Sequence, residues 1–279
     1  MFIEEDLQLF ESEKNRYKDL GMLSPNENYY KIMDLVSKSI NNSINIKKEE
    51  KSDLEESISY AINSFKIIDE KYIDELIKIG FMQYDDLDRF DFRAILEFIF
   101  TSDNKIKNKK GTVHSIEVPN QFTETSKIWL GHEYIHSLKE TNYYEYINKN
   151  VNSEVLTLLY EMIVSNSIYL SEHDKWKYNR LNLLIHNKIF YDEAKRNLND
   201  KKNSDTYRFI MESYGQYLSS YYFATNLYHI YKNDKKEVLK YMKKVLDHKK
   251  TTSDLLREFN LNNITENNIN IYKYEHKNV

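Results

Sequence analysis

The chain has 279 residues, among them 5 Gly, 2 Pro and no Cys. So few turn-forming residues argue against β-sandwiches, β-barrels and glycine-loop nucleotide folds, and the lack of Cys excludes disulfides, thiolate zinc ligands and thiol catalysis. The 40 Lys and Arg residues against 44 Asp and Glu residues give a net charge of −4, so no overall positive field attracts nucleic acid or an anionic membrane. The sequence has neither a signal-peptide pattern nor an apolar run of about 18 residues. We therefore expect a soluble, mostly helical, cytoplasmic protein.

The N-terminal region, 1–110, is predicted to be helical because apolar residues recur there at intervals of three and four. Its predicted helices cover 2–20, 27–41, 53–68 and 72–80. A second region, 111–262, is expected to hold the catalytic site and to pack closely against the first. Residues 263–279 form a polar tail that is predicted to fray.

One strand is predicted at the start of the second region, where apolar and polar residues alternate from Gly111 to Pro119. Pro119 ends it, because proline cannot donate a hydrogen bond to a neighbouring strand. Almost everything after Thr123 is predicted to be helical, with Ser, Thr, Asn or Asp near each helix start as N-caps require. The predicted helices cover 124–139, 152–171, 173–199, 204–232, 235–247 and 252–259.

The most informative segment is 131–136, which reads Gly-His-Glu-Tyr-Ile-His. On a helix, His132 and His136 lie one turn apart on one face, so both imidazoles can bind a single Zn²⁺ ion. Glu133 then lies beside the position of a metal-bound water and can accept its proton as general base. About 0.02 matches to this pattern are expected by chance in a chain of this composition. The pattern predicts a hydrolytic site with one zinc ion per chain.

A zinc site of this kind needs a third protein ligand, and helix 152–171 offers Glu154 and Glu161. Seven residues separate the two, or about 10 Å along a helix, so both cannot bind one ion. The connector 141–150 is long enough to reverse the chain and bring Glu154 opposite the two His residues. Glu161 stands among apolar residues and needs a partner, which it would gain by orienting a His or Tyr of the site. We expect Glu154 to be the ligand, with Glu161 as the alternative.

Peptide hydrolysis also needs a hydrogen-bond donor directed at the developing oxyanion. The Tyr-rich helix 204–232 carries Tyr214 and Tyr221, which are two turns apart on one face. Either phenol could serve as that donor, although packing is the commoner role of a Tyr-rich helix.

Three segments, in this order, resemble the thimet oligopeptidase and oligoendopeptidase F family of zinc peptidases. The first is the His132–His136 motif. The second is Glu154–Glu161, which looks like the third-ligand helix of the family, with a small hydroxyl at Thr157 and a second Glu seven residues after the first. The third runs from Tyr221 to the Leu-Leu-Arg-Glu-Phe sequence at 255–259 and is similar to the Tyr-rich closing segment of oligoendopeptidase F.

The resemblance implies a gluzincin-like fold, namely a shell of helices around a substrate channel with zinc at its floor and one small strand or hairpin at its edge. It also implies that a Tyr pair with the spacing of Tyr214 and Tyr221 binds substrate and steadies the reacting carbonyl. The likeness covers roughly 85–260, so this chain would be a compact member with a reduced N-terminal part.

The sequence thus predicts a zinc metallo-endopeptidase that hydrolyses short or unfolded peptides. In this interpretation His132, His136 and Glu154 bind Zn²⁺, Glu133 is the general base and Tyr221 or Tyr214 stabilises the oxyanion; Glu161 and Thr157 support the ligands. Two alternatives stay open: a peptide-binding or catalytically weak relative, and a helical scaffold without metal. We expect no nucleic-acid or membrane partner, and the sequence does not indicate an oligomeric state.

Overall fold

The computed structural model describes part of the chain. The described residues are 2–18, 27–41, 51–52, 54–68, 81–84, 96–98, 114–119, 122–123, 128–129, 131–132, 135, 154–167, 170–247 and 249–278. The predicted helix at 72–80 lies outside these residues, as do Glu133 and His136 of the predicted zinc motif.

Most of the described residues are helical, which confirms the predicted mostly-α class. The helices are α1 (Glu4–Lys18), α2 (Glu27–Ser39), α3 (Leu54–Ile68), α4 (Glu154–Ser167), α5 (Leu170–Arg196), α6 (Ser204–Asn233), α7 (Lys235–Leu246), α8 (Thr252–Glu258) and α9 (Glu266–Asn278). Residues 128, 129, 131, 132 and 135 are also helical and lie within the predicted helix 124–139; we call them the 128–135 segment.

Along the chain, short strands lie between α2 and the 128–135 segment. They are β1 (Lys51–Ser52), β2 (Phe81–Tyr84), β3 (Leu96–Phe98), β4 (His114–Pro119) and β5 (Phe122–Thr123). Strand β4 falls within the stretch 111–119, and it pairs in parallel with β2 and antiparallel with β3. Strand β5 pairs with β1 in a separate two-stranded sheet. A hairpin edge that holds substrate stays a prediction, as do the helical shell and its channel.

Helix α6 forms the centre of the packing, since α1, α2, α4, α5, α7 and α9 all contact it. Its sequence is Tyr-rich and lacks a single apolar stripe, so buried side chains occur on several of its faces. At Gly215 the absence of a side chain lets Met33 of α2 and Tyr191 of α5 approach the backbone. The helix that carries Tyr214 and Tyr221 is therefore surrounded by other helices.

Side-chain caps fix the starts of the C-terminal helices, as the sequence predicts. Asp234 accepts a hydrogen bond from the Glu237 N–H at 3.1 Å and begins α7. Thr251 and Asp254 form a reciprocal capping box at the start of α8. Such caps satisfy backbone N–H groups that have no partner within the helix.

The expectation that the polar tail frays was wrong, because α9 is a helix that contacts α6. Tyr272 and Glu275 of α9 are buried, at 0% and 1% exposure. The Glu275 carboxylate accepts hydrogen bonds from Lys232 at 2.6 Å, and its Oε1 lies 2.6 Å from Nδ1 of His229. Both partners belong to α6, so a mainly polar sequence is held by one buried aromatic ring and by one buried carboxylate with partly exposed partners.

None of the helices in the described part of the chain has a stretch long and apolar enough to cross a bilayer.

Candidate metal centre

The 128–135 segment brings His132 into the protein interior. Ile128, Gly131 and Ile135 are buried on the same segment, and His132 is 8% exposed. These positions recur at intervals of three and four, so one face of the segment faces the interior. The first His of the predicted motif is thus a buried residue.

Gly131 determines how closely the segment approaches α4. A Cβ atom at this position would overlap the hydroxyl and ring of Tyr160. The Tyr160 hydroxyl is itself hydrogen-bonded to Ser64 Oγ of α3, and Tyr160 is fully buried. Because the same hydroxyl is bonded to Ser64 and the ring is buried, glycine is the residue that fits at position 131.

Helix α4 places a carboxylate on each nitrogen of the His132 ring. Nδ1 lies 2.5 Å from Oε1 of Glu161, and Nε2 lies 3.1 Å from Oε2 of Glu154. The Glu161 side chain has no exposed surface, whereas that of Glu154 is 21% exposed. The two carboxylates are seven residues apart along α4, and the imidazole lies between them.

The electrostatics of the trio formed by His132, Glu154 and Glu161 follow from burial and charge. Burial on its own lowers the pKa of His132, but the carboxylates of Glu154 and Glu161 outweigh it and raise the pKa to about 10. Burial also opposes ionisation of Glu161, yet Arg180 and His132 hold its pKa below the usual value. In the absence of metal, this raised pKa favours the protonated form of the His132 ring. Binding a metal at Nε2 requires the imidazole to lose a proton.

Two residues of α5 that the sequence analysis missed hold the other oxygen of Glu161. Trp176 Nε1 donates to Oε2 at 2.8 Å, and Arg180 Nη2 donates to the same oxygen. Trp176 and Arg180 are four residues apart, so they share a face of the helix. A Glu in an apolar helix needs a buried hydrogen-bond donor, so the sequence indicates that Glu161 has such a partner. It does not indicate which helix supplies that donor.

Thr157 supports Glu154 from within the same helical turn. Its hydroxyl donates to the Glu154 carbonyl oxygen at 2.9 Å and lies 3.2 Å from carboxylate Oε2. Oε2 is also the oxygen that faces His132. Thr157 thus contacts the predicted ligand, which is the position that the family resemblance implies for it.

The two tyrosines predicted as oxyanion donors pack against different neighbours. Tyr214 is half-buried and stacks on Phe190 of α5, with ring centroids 4.5 Å apart. Tyr221 is buried, and its hydroxyl lies 3.3 Å from Nδ1 of His276 on α9. Between them along α6, Tyr217 has its ring centroid 5.5 Å from the Arg180 guanidinium carbon. The catalytic role of Tyr214 and Tyr221 stays a prediction.

The separation of His132 Nε2 and Glu154 Oε2 is 3.1 Å, which is that of a hydrogen-bonded ion pair. It is also close to the separation of about 3.3 Å expected for two ligand atoms about 2.05 Å from a tetrahedral zinc ion. Nδ1 of the same ring faces a carboxylate, as is usual for zinc-bound His. No group of three metal-ligating side chains is found among the described residues, which do not include His136.

Comparisons with protein-family models, curated proteins and solved structures gave no match.

Proposed function

We propose that this chain is a zinc-dependent endopeptidase that hydrolyses short or unfolded peptides. The observation that carries the proposal is the position of His132 between two carboxylates of α4, with Nδ1 on Glu161 and Nε2 beside Glu154. When Nδ1–H donates to Glu161, the lone pair of Nε2 is available to a metal on the side where Glu154 offers an oxygen. A peptide-binding module has no need for this arrangement.

Zn²⁺ would be held by His132, Glu154 and His136, and when bound it would polarise a scissile carbonyl and lower the pKa of a water molecule. Glu133, next to His132 in the sequence, takes the proton of the attacking water and delivers it to the leaving amine. The buried Glu161 holds the His132 ring in one orientation. Tyr221 or Tyr214 donates to the oxyanion.

One observation favours a second candidate, a helical scaffold that binds no metal. His132 with its raised pKa can act as a structural cation between Glu154 and Glu161. A buried ion pair with satisfied hydrogen bonds can be part of a stable fold without any catalytic role.

Metal analysis and peptide cleavage separate the two candidates. Protein loaded with Zn²⁺ and passed through a desalting column is expected to retain one zinc per chain and to cleave a quenched random-peptide pool until a chelator is added. Glu133→Gln should retain zinc and lose cleavage by a factor of at least about 10³, because it removes only the base. Glu154→Gln should lose zinc. Glu237→Gln, which alters a surface acid on α7, is the matched control and should behave as wild type.

The endopeptidase proposal is wrong if the wild-type protein retains no zinc, which would favour the scaffold. It is also wrong if zinc is retained and no peptide is cleaved, which would favour a binding module. Cleavage that persists at the wild-type rate in Glu133→Gln would exclude this residue as the base.

A further inference from the structure

We propose that Arg180 is a positioning residue for the metal centre, which fixes the orientation of His132 by holding the Glu161 carboxylate. This inference rests on the proposed zinc site and adds to it a residue from α5, about 50 positions further along the chain than His132. Arg180 would act through Glu161, to which it donates a hydrogen bond.

The two oxygens of Glu161 have separate partners. Oε1 faces the His132 ring, while Oε2 accepts from Arg180 and from Trp176. A carboxylate can rotate about its last bond, and a donor pair fixed on one oxygen removes that freedom. The direction in which Oε1 points, and with it the orientation of the imidazole, is therefore set from α5.

Arg180 is in turn fixed by its surroundings. It is 2% exposed, and its guanidinium carbon lies 5.7 Å from the Trp129 ring centroid and 5.5 Å from that of Tyr217. Trp129 belongs to the 128–135 segment, so Arg180 contacts both the helix that carries His132 and the carboxylate that orients it. Within the described residues, the buried Nε of Arg180 has no hydrogen-bond partner. Glu161 and the two rings are thus its main anchors.

Arginine suits this position for a physical reason. Its guanidinium stays charged at every accessible pH and is planar, so it can pack between aromatic rings and still donate to a carboxylate. Trp176 supplies only a neutral N–H donor. Lysine would keep the charge but lacks the planar group that packs between Trp129 and Tyr217.

The test compares Arg180→Gln and Arg180→Lys with a matched control, Arg196→Gln, which changes an exposed Arg at the end of the same helix. Zn²⁺ affinity is measured by competition with a chromophoric chelator. The proton on His132 Nδ1 is followed by NMR in protein with ¹⁵N-labelled His and is assigned by its absence in His132→Gln. Circular dichroism verifies that each variant is folded.

Arg180→Gln is expected to bind Zn²⁺ about 10- to 100-fold more weakly, as is typical when a residue that supports a ligand is lost. Its His132 Nδ1 proton should move upfield or broaden, because the short bond to Glu161 is no longer held. Arg180→Lys should recover part of the affinity and part of the shift. Arg196→Gln should match the wild type in both measurements.

A folded Arg180→Gln protein with wild-type affinity, or with weaker affinity and an unchanged Nδ1 resonance, would overturn the inference. If Arg180→Gln does not fold, Arg180→Lys decides by the same two criteria. Failure of the proposed function is distinguishable: a wild-type protein without zinc affinity contradicts the zinc site itself, whereas an unchanged Nδ1 resonance in Arg180→Gln contradicts the positioning role of Arg180. The resonance of His132 would then still show whether Arg180 orients the ring.

Discussion

Gly131 illustrates how one absent side chain determines a helix contact. Glycine within a helix ordinarily costs about 1 kcal/mol relative to alanine, so a Gly→Ala change in an exposed helix stabilises the protein. At position 131 the added methyl would overlap the Tyr160 ring and its hydroxyl, and that hydroxyl is hydrogen-bonded to Ser64. Packing therefore outweighs helix propensity at this position.

We expect Gly131→Ala to lower the free energy of unfolding by about 1–3 kcal/mol, the usual cost of overpacking a core. Urea denaturation monitored by circular dichroism measures it. In a Tyr160→Ala background the same change should lower the free energy of unfolding by less, because the ring that the methyl group would overlap is absent. A stabilisation of about 1 kcal/mol by Gly131→Ala would mean that the segment does not pack as described.

At the residue scale, the sequence predicted pairs within one helix better than pairs between helices. The spacing of Glu154 and Glu161 on α4 was sufficient to expect that one faces the His as a ligand and the other needs a partner. Arg180 and Trp176 could not be predicted, because their contact depends on how α5 lies against α4. That registry is set by side-chain packing along the whole interface, not by any local pattern.

At the scale of single elements, helices α8 and α9 differ in what stabilises them. Both sequences are polar, but α8 has a capping box that can be identified from Thr251 and Asp254 alone. Helix α9 depends instead on contacts far away in the sequence, including Tyr272 with Ser39 and Glu275 with Lys232. Average polarity therefore predicted the end of the chain wrongly, since two buried anchors are enough to hold a short helix.

His276 makes the stability of the α9 contact depend on pH. Burial lowers the pKa of His276 and Lys177 adds to this shift, while a hydrogen bond from the ring to the Ser39 backbone opposes it. A His that is harder to protonate when folded contributes fully above its unfolded pKa of about 6.5 and loses this contribution as the pH falls below that value. The contribution of His276 to folding stability should thus fall on mild acidification.

We expect His276→Phe to reduce this loss, so that the variant gains stability relative to wild type as the pH falls from about 7.5 to about 5.5. Urea midpoints across that range measure the difference. Tyr274→Phe, an exposed position on the same helix, is the control and should follow the wild type. A constant difference between His276→Phe and wild type over the whole range would contradict the assignment.

At the scale of the whole molecule, a bound metal would join two elements that are separate in the chain. His132 lies in the 128–135 segment and Glu154 begins α4, so an ion between them is a link that only the folded state can make. A ligand present at 100 times its Kd stabilises the folded state by about 2.7 kcal/mol.

Zn²⁺ at that excess should raise the Tm of the wild-type protein by about 5–10 °C, given the entropy of unfolding of a chain of this size. Differential scanning fluorimetry with and without a chelator measures the shift. Glu154→Gln should show little or no shift, because it lacks one of the ligands. An equal shift in both proteins would place the stabilising ion elsewhere.

The helical class and the bounds of α6, α7 and α8 could be predicted from the sequence because periodicity and caps are local signals. The sheet order could not, since β4 pairs with β2 and β3 across long connections. Nor could the enclosure of α6, because its many Tyr residues can face either water or a neighbouring helix. Local chemistry therefore determines where helices are, and packing determines what each face meets.

The position of α6 also bears on how the chain acquires its structure during synthesis. Tyr207 contacts Phe2, which precedes α1, and Tyr214 contacts Phe10 of α1, whereas Tyr221 and Tyr222 contact Tyr272 of α9. Helix α1 must wait for a partner about 200 residues later, and α6 lacks the cover that α9 supplies until residues 266–278 have left the ribosome. Contacts of such long range slow folding and leave apolar surface exposed in the nascent chain, so the native packing of α6 is completed only after translation of α9.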